Sequence, residues 1–398
     1  GQIREQLGDP ESLLLPESEW PPHPPRASTQ LSDPAEWPLL ANELWTRGLC
    51  MWLPTAALFS PGGTPLVNGL FGVPKPKPVA DHPELPQLRL ICNLVPSNSY
   101  FRVIRGDIDD LPYTLQWNAI TLLEDEFLLI SQEDMSSAFY LFRLPTSWAR
   151  YFAVGKPIRL DQLRGNAQLR AQSLSAGAGY DCSGPGYLCV ITLPMGWASA
   201  TGVMQAVHRA ILTQRPGKGP PLPTAAEIRK TGILPHGPDQ RFNEGWQVYL
   251  DNFASLSVVR ASKLEAAQRE VSRWHAEARA AWQHWHIPSA SDKSVSNAIT
   301  ATELGAESRG HVGTLATTRE RRLAGIAVAF HLIGCFHPHR MWLATGAGCW
   351  NFIFQFRRPA SGVFSSVWDF IARWEANGTT VRLPVQVCRA LQDEVHGQ

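Results

Sequence analysis

Two aspartates lie at points of the sequence where a metal site could be built. Asp251 follows an apolar approach, residues 247–250, and precedes a return through Phe253, so the pattern predicts a carboxylate at the tip of a β-hairpin. Asp134 ends another short apolar run, residues 127–133. Carboxylate oxygens are ligands that Mg²⁺ and similar hard cations prefer. Two acids delivered by separate strands therefore predict a divalent metal site.

The elements that must position these acids are short strands and amphipathic helices. Strand-like runs, bounded by proline or glycine, occupy residues 70–75, 88–95, 127–133, 149–154 and 187–192. Helical spacing of apolar side chains is found at residues 41–59, 199–213, 262–286, 323–335 and 363–374. This order predicts an α+β fold in which helices cover one face of an antiparallel sheet.

The clearest helix is predicted over residues 262–286. Its apolar residues recur three or four positions apart, Ser262 and Glu265 have the spacing of a capping box, and Pro288 lies beyond the end. Residues 172–186, rich in Gly and Ser, and residues 214–245, rich in Gly and Pro, are predicted loops. The second is longer than a compact domain usually tolerates, which favours a functional or lineage-specific role.

The composition describes a protein with a sizeable core and a different N-terminus. The 398 residues are 44% hydrophobic and include 15 Trp, which indicates a globular fold. Residues 1–40 are Pro-rich and have seven acids and two bases, so they carry −5 and the remainder carries +6 of the net +1. Such a stretch favours extended polyproline conformation and is not expected to form a core. It is either a docking ligand for a partner or, more simply, a leader or linker.

Several functional classes are not indicated by the sequence. No apolar stretch is long enough to span a bilayer, and no basic segment followed by an apolar one opens the chain. We therefore expect an intracellular protein of the cytoplasm or nucleus, neither secreted nor membrane-bound. The seven cysteines are scattered without a Cys-x-x-Cys pair, which argues against a zinc ribbon and against a disulfide framework.

Four sequence elements occur in a fixed order along the chain. They are Asp134-x-x-x-Ala138-Phe139, Leu193-Pro194-Met195-Gly196-Trp197, Tyr249-Leu250-Asp251-Asn252 and Ser291-Asp292-Lys293. Each alone is a weak signal, but the ordered set is specific. Over residues 65–310 the chain resembles the reverse transcriptase family, the RNA-directed DNA polymerases of retroviruses and retroelements.

The resemblance implies a right-hand polymerase fold, with fingers, a palm of antiparallel sheet backed by helices, and a thumb. The implied domains are an N-terminal extension (1–45), fingers and palm (46–300) and a helical thumb or connection (301–398). Within the second domain, the fingers would be residues 46–126 and 146–188, and the palm would be residues 127–145 and 189–300.

The resemblance also implies a catalytic site with two Mg²⁺ ions, for which Mn²⁺ could substitute. The expected metal ligands are oxygen atoms of Asp134, Met135, Asp251 and Asn252. The ions would activate the primer 3′-hydroxyl and stabilise the pyrophosphate leaving group, which Lys293 would protonate. Asn252 stands where the family has an acid, so one negative charge is missing from the hairpin.

Nucleotide and primer contacts follow from the same resemblance. The expected nucleotide-binding residues are Lys75, Arg89, Ala138, Phe139, Met195, Gly196 and Gln205, and the expected primer grip is Leu304 with Gly305. Phe139 matches the steric gate, the aromatic residue that rejects a 2′-hydroxyl. Without the resemblance, Lys75, Arg89 and Lys293 would be read as solvated surface charges, and Phe139 as a core side chain.

The predicted function is RNA-directed DNA polymerisation by a retrotransposon-like element. The partners would be an RNA or DNA template with its primer, and deoxynucleoside triphosphates. The alternative is a degenerate, inactive domain that binds nucleic acid as a scaffold, which Asn252 favours. A metal-dependent nuclease would also use two acids, but it gives no reason for the segment from Leu193 to Gln205. After residue 310 the sequence has no pattern typical of ribonuclease H, integrase or protease domains.

Overall fold

The computed structural model describes residues 2–79, 82–214, 221–290, 292, 294–334 and 340–373. The strands are β1 (Cys50–Pro54), β2 (Gly69–Val79), β3 (His82–Asn93), β4 (Glu126–Asp134), β5 (Ala153–Arg159), β6 (Pro185–Val190), β7 (Glu244–Tyr249), β8 (Asn252–Arg260), β9 (Val295–Ala298), β10 (Thr300–Glu303), β11 (Ala306–Arg309) and β12 (Thr314–Thr317). The α-helices are α1 (Gln2–Gly8), α2 (Trp37–Thr46), α3 (Val95–Asn98), α4 (Ala138–Leu141), α5 (Ala167–Ala176), α6 (Ala200–Thr213), α7 (Leu264–Arg269), α8 (Arg273–His284), α9 (Arg319–Gly334), α10 (Arg340–Phe354) and α11 (Ser365–Arg373).

A four-stranded antiparallel sheet carries the two aspartates. Its strand order is β7-β8-β4-β9. Side chains along these strands alternate between two faces. Helix α8 covers one face through Trp282, whose ring lies edge-on to Phe253, and Trp117 and Ala301 belong to the apolar cluster on the other. The predicted combination of helices with an antiparallel sheet is confirmed.

The hairpin of β2 and β3 confirms the two strands predicted from residues 70–75 and 88–95. Val73 pairs with Arg89 in this hairpin, and Gly69 pairs with Asn93 at its base. A second antiparallel sheet, of order β1-β6-β5, adjoins it. The Asn68 amide donates a hydrogen bond of 2.8 Å to the carbonyl oxygen of Ala153 on β5, so the base of the hairpin is attached to this sheet.

The helix predicted over residues 41–59 is wrong beyond Thr46. Gly48 has a φ of +67°, which ends the helix, and the apolar run that follows pairs with β6 as strand β1. The strand predicted at 149–154 is also wrong in its first half, where the chain forms the 3₁₀ helix Thr146–Tyr151. In both segments the same apolar residues suit either structure, and strand pairing decides between them.

The Gly/Ser-rich segment 172–186 begins inside a helix, so the loop prediction is wrong for its first five residues. The side chain of Asn166 accepts a hydrogen bond from Leu169 N at 3.1 Å and caps α5. The Ser173 hydroxyl of this helix accepts a hydrogen bond of 3.0 Å from the Trp52 backbone amide. This contact ties the helix to β1.

The helix predicted over residues 262–286 is two helices, α7 and α8, separated by three residues. Asn297 causes the break, because its side-chain amide donates at 2.7 Å to the carbonyl oxygens of both Ala267 and Glu270. The expected capping box is not formed either, since α7 has Lys263 at its N-cap without a side-chain hydrogen bond. A polar residue 30 positions away thus overrides a regular apolar pattern.

Residues 300–317, expected at the start of a helical region, instead form a three-stranded sheet of order β10-β11-β12. Exposure alternates along β10, where Ala301 and Glu303 are buried and Thr300 and Thr302 are exposed. The predicted helices further on are confirmed as α9 and α11 within the described residues. They pack with α10 around Trp350 in a separate apolar cluster.

The Pro-rich N-terminal segment packs onto the body of the protein, contrary to the expectation that it forms no core. Leu13 is buried, and its carbonyl oxygen accepts the Arg102 amide at 2.8 Å. The Trp20 ring lies edge-on to both Phe59 and Tyr100, with centroids 5.6 and 5.4 Å away. Aromatic burial in a shared cluster stabilises a segment that has little regular structure of its own.

The predicted loop 214–245 is largely irregular but well packed where the structure describes it. Leu222, Ile228 and Phe242 are buried. Glu227 forms a bidentate ion pair with Arg209 of α6, at 2.5 and 2.8 Å. Within the described ranges, no helix is long and apolar enough to cross a bilayer.

Candidate metal and nucleotide site

A two-residue turn, Leu250 and Asp251, joins β7 to β8 at the place predicted from the sequence. Tyr249 and Asn252 pair directly across the turn. Leu250 has a φ of +57°, a left-handed conformation that costs free energy for any residue with a side chain. The surrounding contacts must hold the turn in this conformation.

Helix α6 supplies those contacts through Gln205 and His208. The Gln205 side chain donates to the carbonyl oxygen of Val248 and accepts the Leu250 amide, both at 2.8 Å. His208 Nδ1 lies 2.7 Å from the Leu250 carbonyl oxygen, and its Nε2 lies 3.2 Å from the indole nitrogen of Trp282. An indole N–H only donates and a carbonyl only accepts, so the ring is neutral with its hydrogen on Nδ1. Burial lowers the pKa of His208 to about 4, which preserves this state at neutral pH.

The structure brings the two predicted acids together. Asp134, the last residue of β4, pairs with Asn252, the first residue of β8, so their side chains share one face of the sheet. The Met135 amide donates to the carbonyl oxygen of Asp251 at 2.9 Å. The end of β4 therefore lies against the hairpin tip, although 117 positions separate Asp134 from Asp251 in the sequence.

The segment predicted to carry the general acid also approaches this point. The Ala290 amide donates to the Asp134 carbonyl oxygen, and the Ser136 amide donates to the Pro288 carbonyl oxygen, both at 2.8 Å. Lys293 itself lies outside the described residues, so its role stays a prediction.

Asn252 contacts a third acidic residue, Glu303, at the end of β10. Asn252 Nδ2 lies 3.0 Å from Oε1 and 3.1 Å from Oε2 of Glu303. Glu303 is 2% exposed. Burial raises its pKa to about 7, opposed by the hydrogen bonds from Asn252 and Gln247 and reinforced by the negative charge of Asp134. A buried acid thus lies beside Asn252, the position where the resemblance led us to expect an acid.

The donor atoms at this point suit a hard divalent cation. Among the residues that the structure describes, no group of three or more His, Cys, Asp and Glu side chains is arranged to hold a metal. Mg²⁺, however, is commonly bound by one or two carboxylates, with water and substrate phosphates completing the shell. Asn252 Oδ1 is buried and has no hydrogen-bond partner in the described part of the chain. This oxygen and the carboxylates of Asp134 and Asp251 are donors of the type that such an ion binds.

The predicted steric gate follows Asp134 by five positions, in the short helix α4. Phe139 is partly buried against the main core, and Ala138 is fully buried. The next residue, Tyr140, donates its hydroxyl to the Leu90 carbonyl oxygen at 2.8 Å. Burial raises the pKa of Tyr140 to about 12, and the nearby charge of Arg89 acts in the opposite direction. Tyr140 therefore joins α4, called the gate helix after the role predicted for Phe139, to the strand that carries exposed Arg89.

The turn at Met195 and Gly196 is attached to the same strand. The Cys92 amide donates to the Met195 carbonyl oxygen at 3.0 Å. Gly196 has a φ of +115°, and a Cβ atom there would lie 1.9 Å from the Cys92 carbonyl oxygen. The close approach that glycine permits at 196 is thus to β3 of this chain.

The remaining predicted residues lie on two hairpins. Lys75 is on β2, two positions beyond the residue paired with Arg89, and is partly exposed. Leu304 and Gly305 form the turn between β10 and β11, with φ values of +47° and +81°. Both positive angles match a type I′ turn. The nucleotide and primer contacts assigned to these residues stay predictions.

Three supporting residues were missed from the sequence: Glu303, His208 and Tyr140. Ala301 is the one apolar residue among residues 300–303, so the sequence there has no apolar alternation that would identify Glu303, and its partner Asn252 lies 51 positions away. Nothing local marks His208 or Tyr140, because their partners lie 42 and 50 positions away in the sequence.

Comparison with solved structures identifies the fold. The chain is similar over its whole length to the foamy viral protease-reverse transcriptase in complex with double-stranded DNA, with 13% identity and a TM-score of 0.55. A second structure of that enzyme, designated dRH and also bound to double-stranded DNA, gives 14% identity and the same TM-score. The chain spans 67% and 56% of those two chains, respectively. No family model and no curated protein matches the sequence. At this identity the likeness shows a reverse-transcriptase-like fold.

Proposed function

We propose that this chain is an RNA-directed DNA polymerase of a retrotransposon-like element. It would add deoxynucleotides to a primer 3′-hydroxyl on an RNA or DNA template. The observation that carries the proposal is the pairing of Asp134 with the Asp251-Asn252 hairpin tip, on a fold shared with a viral reverse transcriptase. Those neighbours bind double-stranded DNA, which supports nucleic acid as the partner here.

In this proposal the carboxylates of Asp134 and Asp251, the Met135 carbonyl and the Asn252 amide oxygen would hold two divalent ions. Ions bound there would stabilise the charge that develops on the attacking hydroxyl and on the leaving pyrophosphate. Helix α6 contributes rigidity, because the side chains of Gln205 and His208 make three hydrogen bonds to the backbone that precedes Asp251. A metal-binding residue that the surrounding structure already holds in place loses less conformational freedom when the ion binds than a mobile residue does.

The nucleotide would bind between the gate helix and the hairpin of β2 and β3. Arg89 and Lys75 would attract its phosphates, and Phe139 would exclude a 2′-hydroxyl. Tyr140 sets the spacing between these two parts, because it belongs to the gate helix and binds the strand of Arg89. If Lys293 lies near the departing pyrophosphate, its ammonium group would supply the proton.

The second candidate is a catalytically inactive domain that binds nucleic acid as a scaffold. Asn252 is the observation in its favour, because an amide in the hairpin lowers the negative charge that attracts a cation.

Primer extension separates the two candidates. We expect the wild-type chain to extend a primer with Mg²⁺ or Mn²⁺, and Asp134→Asn to bind the same primer-template without extending it. Asp125→Asn is the matched control, since Asp125 is an exposed acid just before β4, and it should behave as wild type. Extension by Asp134→Asn at the wild-type rate would refute the metal assignment. Binding without any Asp134-dependent extension would establish the scaffold.

A further inference from the structure

The contact between Asn252 and Glu303 is not explained by the family resemblance. Both carboxylate oxygens of Glu303 lie within hydrogen-bond distance of Asn252 Nδ2. The other end of the same amide, Oδ1, is buried and unpartnered among the described residues. The NH₂ group of Asn252 thus lies close to two acceptor oxygens, whereas its carbonyl oxygen has no hydrogen-bond donor among the residues that the structure describes.

This arrangement fixes which end of the amide points where. Both oxygens of Glu303 accept from Asn252 Nδ2, at 3.0 and 3.1 Å, so the NH₂ group faces Glu303 and the amide oxygen is excluded from that side. The oxygen must then point away from Glu303. Asn252 is the partner of Asp134 across the two strands, and cross-strand neighbours share one face of a sheet.

The same contact explains why residue 252 is an amide. An aspartate there would place a second carboxylate about 3 Å from the buried oxygens of Glu303. Two such groups cannot both be ionised at that distance without a cation or a proton between them. Asparagine beside glutamate avoids this repulsion, because the NH₂ group of Asn252 donates to the two oxygens of Glu303.

We propose that Glu303 is a positioning residue that orients the Asn252 amide oxygen toward a divalent cation held by Asp134 and Asp251. This inference rests on the metal site of the proposed function. It means that Asn252 is a neutral ligand adapted to its neighbour and is not the remnant of a lost acid. Groups that orient a metal ligand through a hydrogen bond commonly change metal affinity 10- to 100-fold when replaced.

The test compares four variants of the full chain: Glu303→Gln, Asn252→Asp, the double variant Asn252→Asp with Glu303→Gln, and Glu307→Gln. The last is the matched control, because Glu307 is on the same hairpin and pairs with Arg309 instead. Mn²⁺ affinity is measured by electron paramagnetic resonance, and folding stability by thermal unfolding without metal. Asp134→Asn identifies the Mn²⁺ that belongs to this site.

We expect Glu303→Gln to weaken Asp134-dependent Mn²⁺ binding about tenfold, because its side-chain amide can also donate and no longer selects one orientation. Asn252→Asp alone should lower the unfolding temperature. The double variant should recover that temperature and bind Mn²⁺ at least as tightly as wild type, since donor and acceptor have exchanged places. Glu307→Gln should change neither quantity.

The inference is overturned if Glu303→Gln and Glu307→Gln bind Mn²⁺ alike, or if the double variant is no more stable than Asn252→Asp. It is also overturned if the wild-type chain has no Asp134-dependent Mn²⁺ binding. Primer extension is scored separately. Mn²⁺ binding that depends on Glu303 in a chain that extends no primer would support the inference and refute the polymerase.

Discussion

His208 holds the carbonyl oxygen of Leu250 at 2.7 Å, one residue before the hairpin aspartate. The ring is buried, and its other nitrogen accepts the indole hydrogen of Trp282. The contact with Trp282 requires the neutral ring, because a protonated Nε2 cannot accept, whereas Nδ1 can donate to Leu250 in either state. Protonation of His208 would therefore break the bond to Trp282 and charge a buried ring directly behind the hairpin tip.

This linkage predicts how stability depends on pH. Burial lowers the folded-state pKa of His208 from 6.5 to about 4, so the unfolded chain takes up a proton at a higher pH than the folded chain does. Its stabilising contribution is complete above pH 6.5 and is lost as the pH falls toward 4, by about 1.4 kcal/mol per pH unit.

The free energy of unfolding, measured by denaturant titration between pH 7 and 4, should fall less steeply for His208→Gln than for wild type. His284→Gln is the control, because His284 is exposed at the end of α8, and its slope should equal that of wild type. Equal slopes for both variants would contradict the linkage.

Gln205→Leu should destabilise the protein by roughly 2 kcal/mol, because the Leu250 amide and the Val248 carbonyl oxygen each lose a buried partner. Gln214→Leu, an exposed position at the end of the same helix, should change stability little. Chemical denaturation gives the difference. A change in KM for the nucleotide with no change in stability would show that Gln205 contacts the nucleotide and does not support the hairpin.

Gly196→Ala should cost more than about 1 kcal/mol of folding stability, because its Cβ would collide with the Cys92 carbonyl oxygen at a φ that favours glycine. Gly184→Ala introduces the same methyl group where nothing lies within 4 Å, so it should be tolerated. Thermal unfolding compares the two. Equal unfolding temperatures of the two variants would mean that the turn at Gly196 does not pack closely against β3.

Phe139→Val should lower the preference for deoxynucleotides over ribonucleotides at least about tenfold, if the ring excludes a 2′-hydroxyl. The measurement is the ratio of kcat/KM for the two nucleotides in primer extension. Phe142→Val removes a similar, partly buried ring in the same segment and should leave the ratio unchanged. An equal fall in both variants would assign the effect to packing.

The parts of the site that the sequence predicted are those with a local signal. Asp251 is enclosed by apolar residues on both sides, and Asp134 ends an apolar run, so strand patterning alone places both at strand ends. The order of the four motifs carries the family resemblance, and that resemblance predicted that the two aspartates lie in one site. Helix α6 was also predicted within a residue, because its apolar residues recur with helical spacing.

The parts that the sequence did not predict depend on distant partners. Asn297 divides one regular apolar pattern into two helices by binding carbonyl groups about 30 positions away. Residues 300–309 carry too few apolar side chains for a strand prediction. They form a hairpin that is attached to the central sheet by a hydrogen bond of 3.0 Å from the Gln132 side chain of β4 to the Thr302 carbonyl oxygen. Glu303 went unrecognised for the same reason, since its importance lies in a contact 51 positions distant.

The hydrogen bonds between Asn252 and Glu303 also constrain how this chain can evolve. Asparagine and aspartate differ by one nucleotide in their codons, as do glutamate and glutamine, so each exchange is a single mutational step. The order of the steps matters. Replacing Asn252 by aspartate first would bring two carboxylates together, whereas replacing Glu303 by glutamine first would leave two amides that can still form a hydrogen bond to each other. A return to an acidic hairpin would therefore pass through position 303, and the amide at position 252 would persist in any lineage where Glu303 is retained.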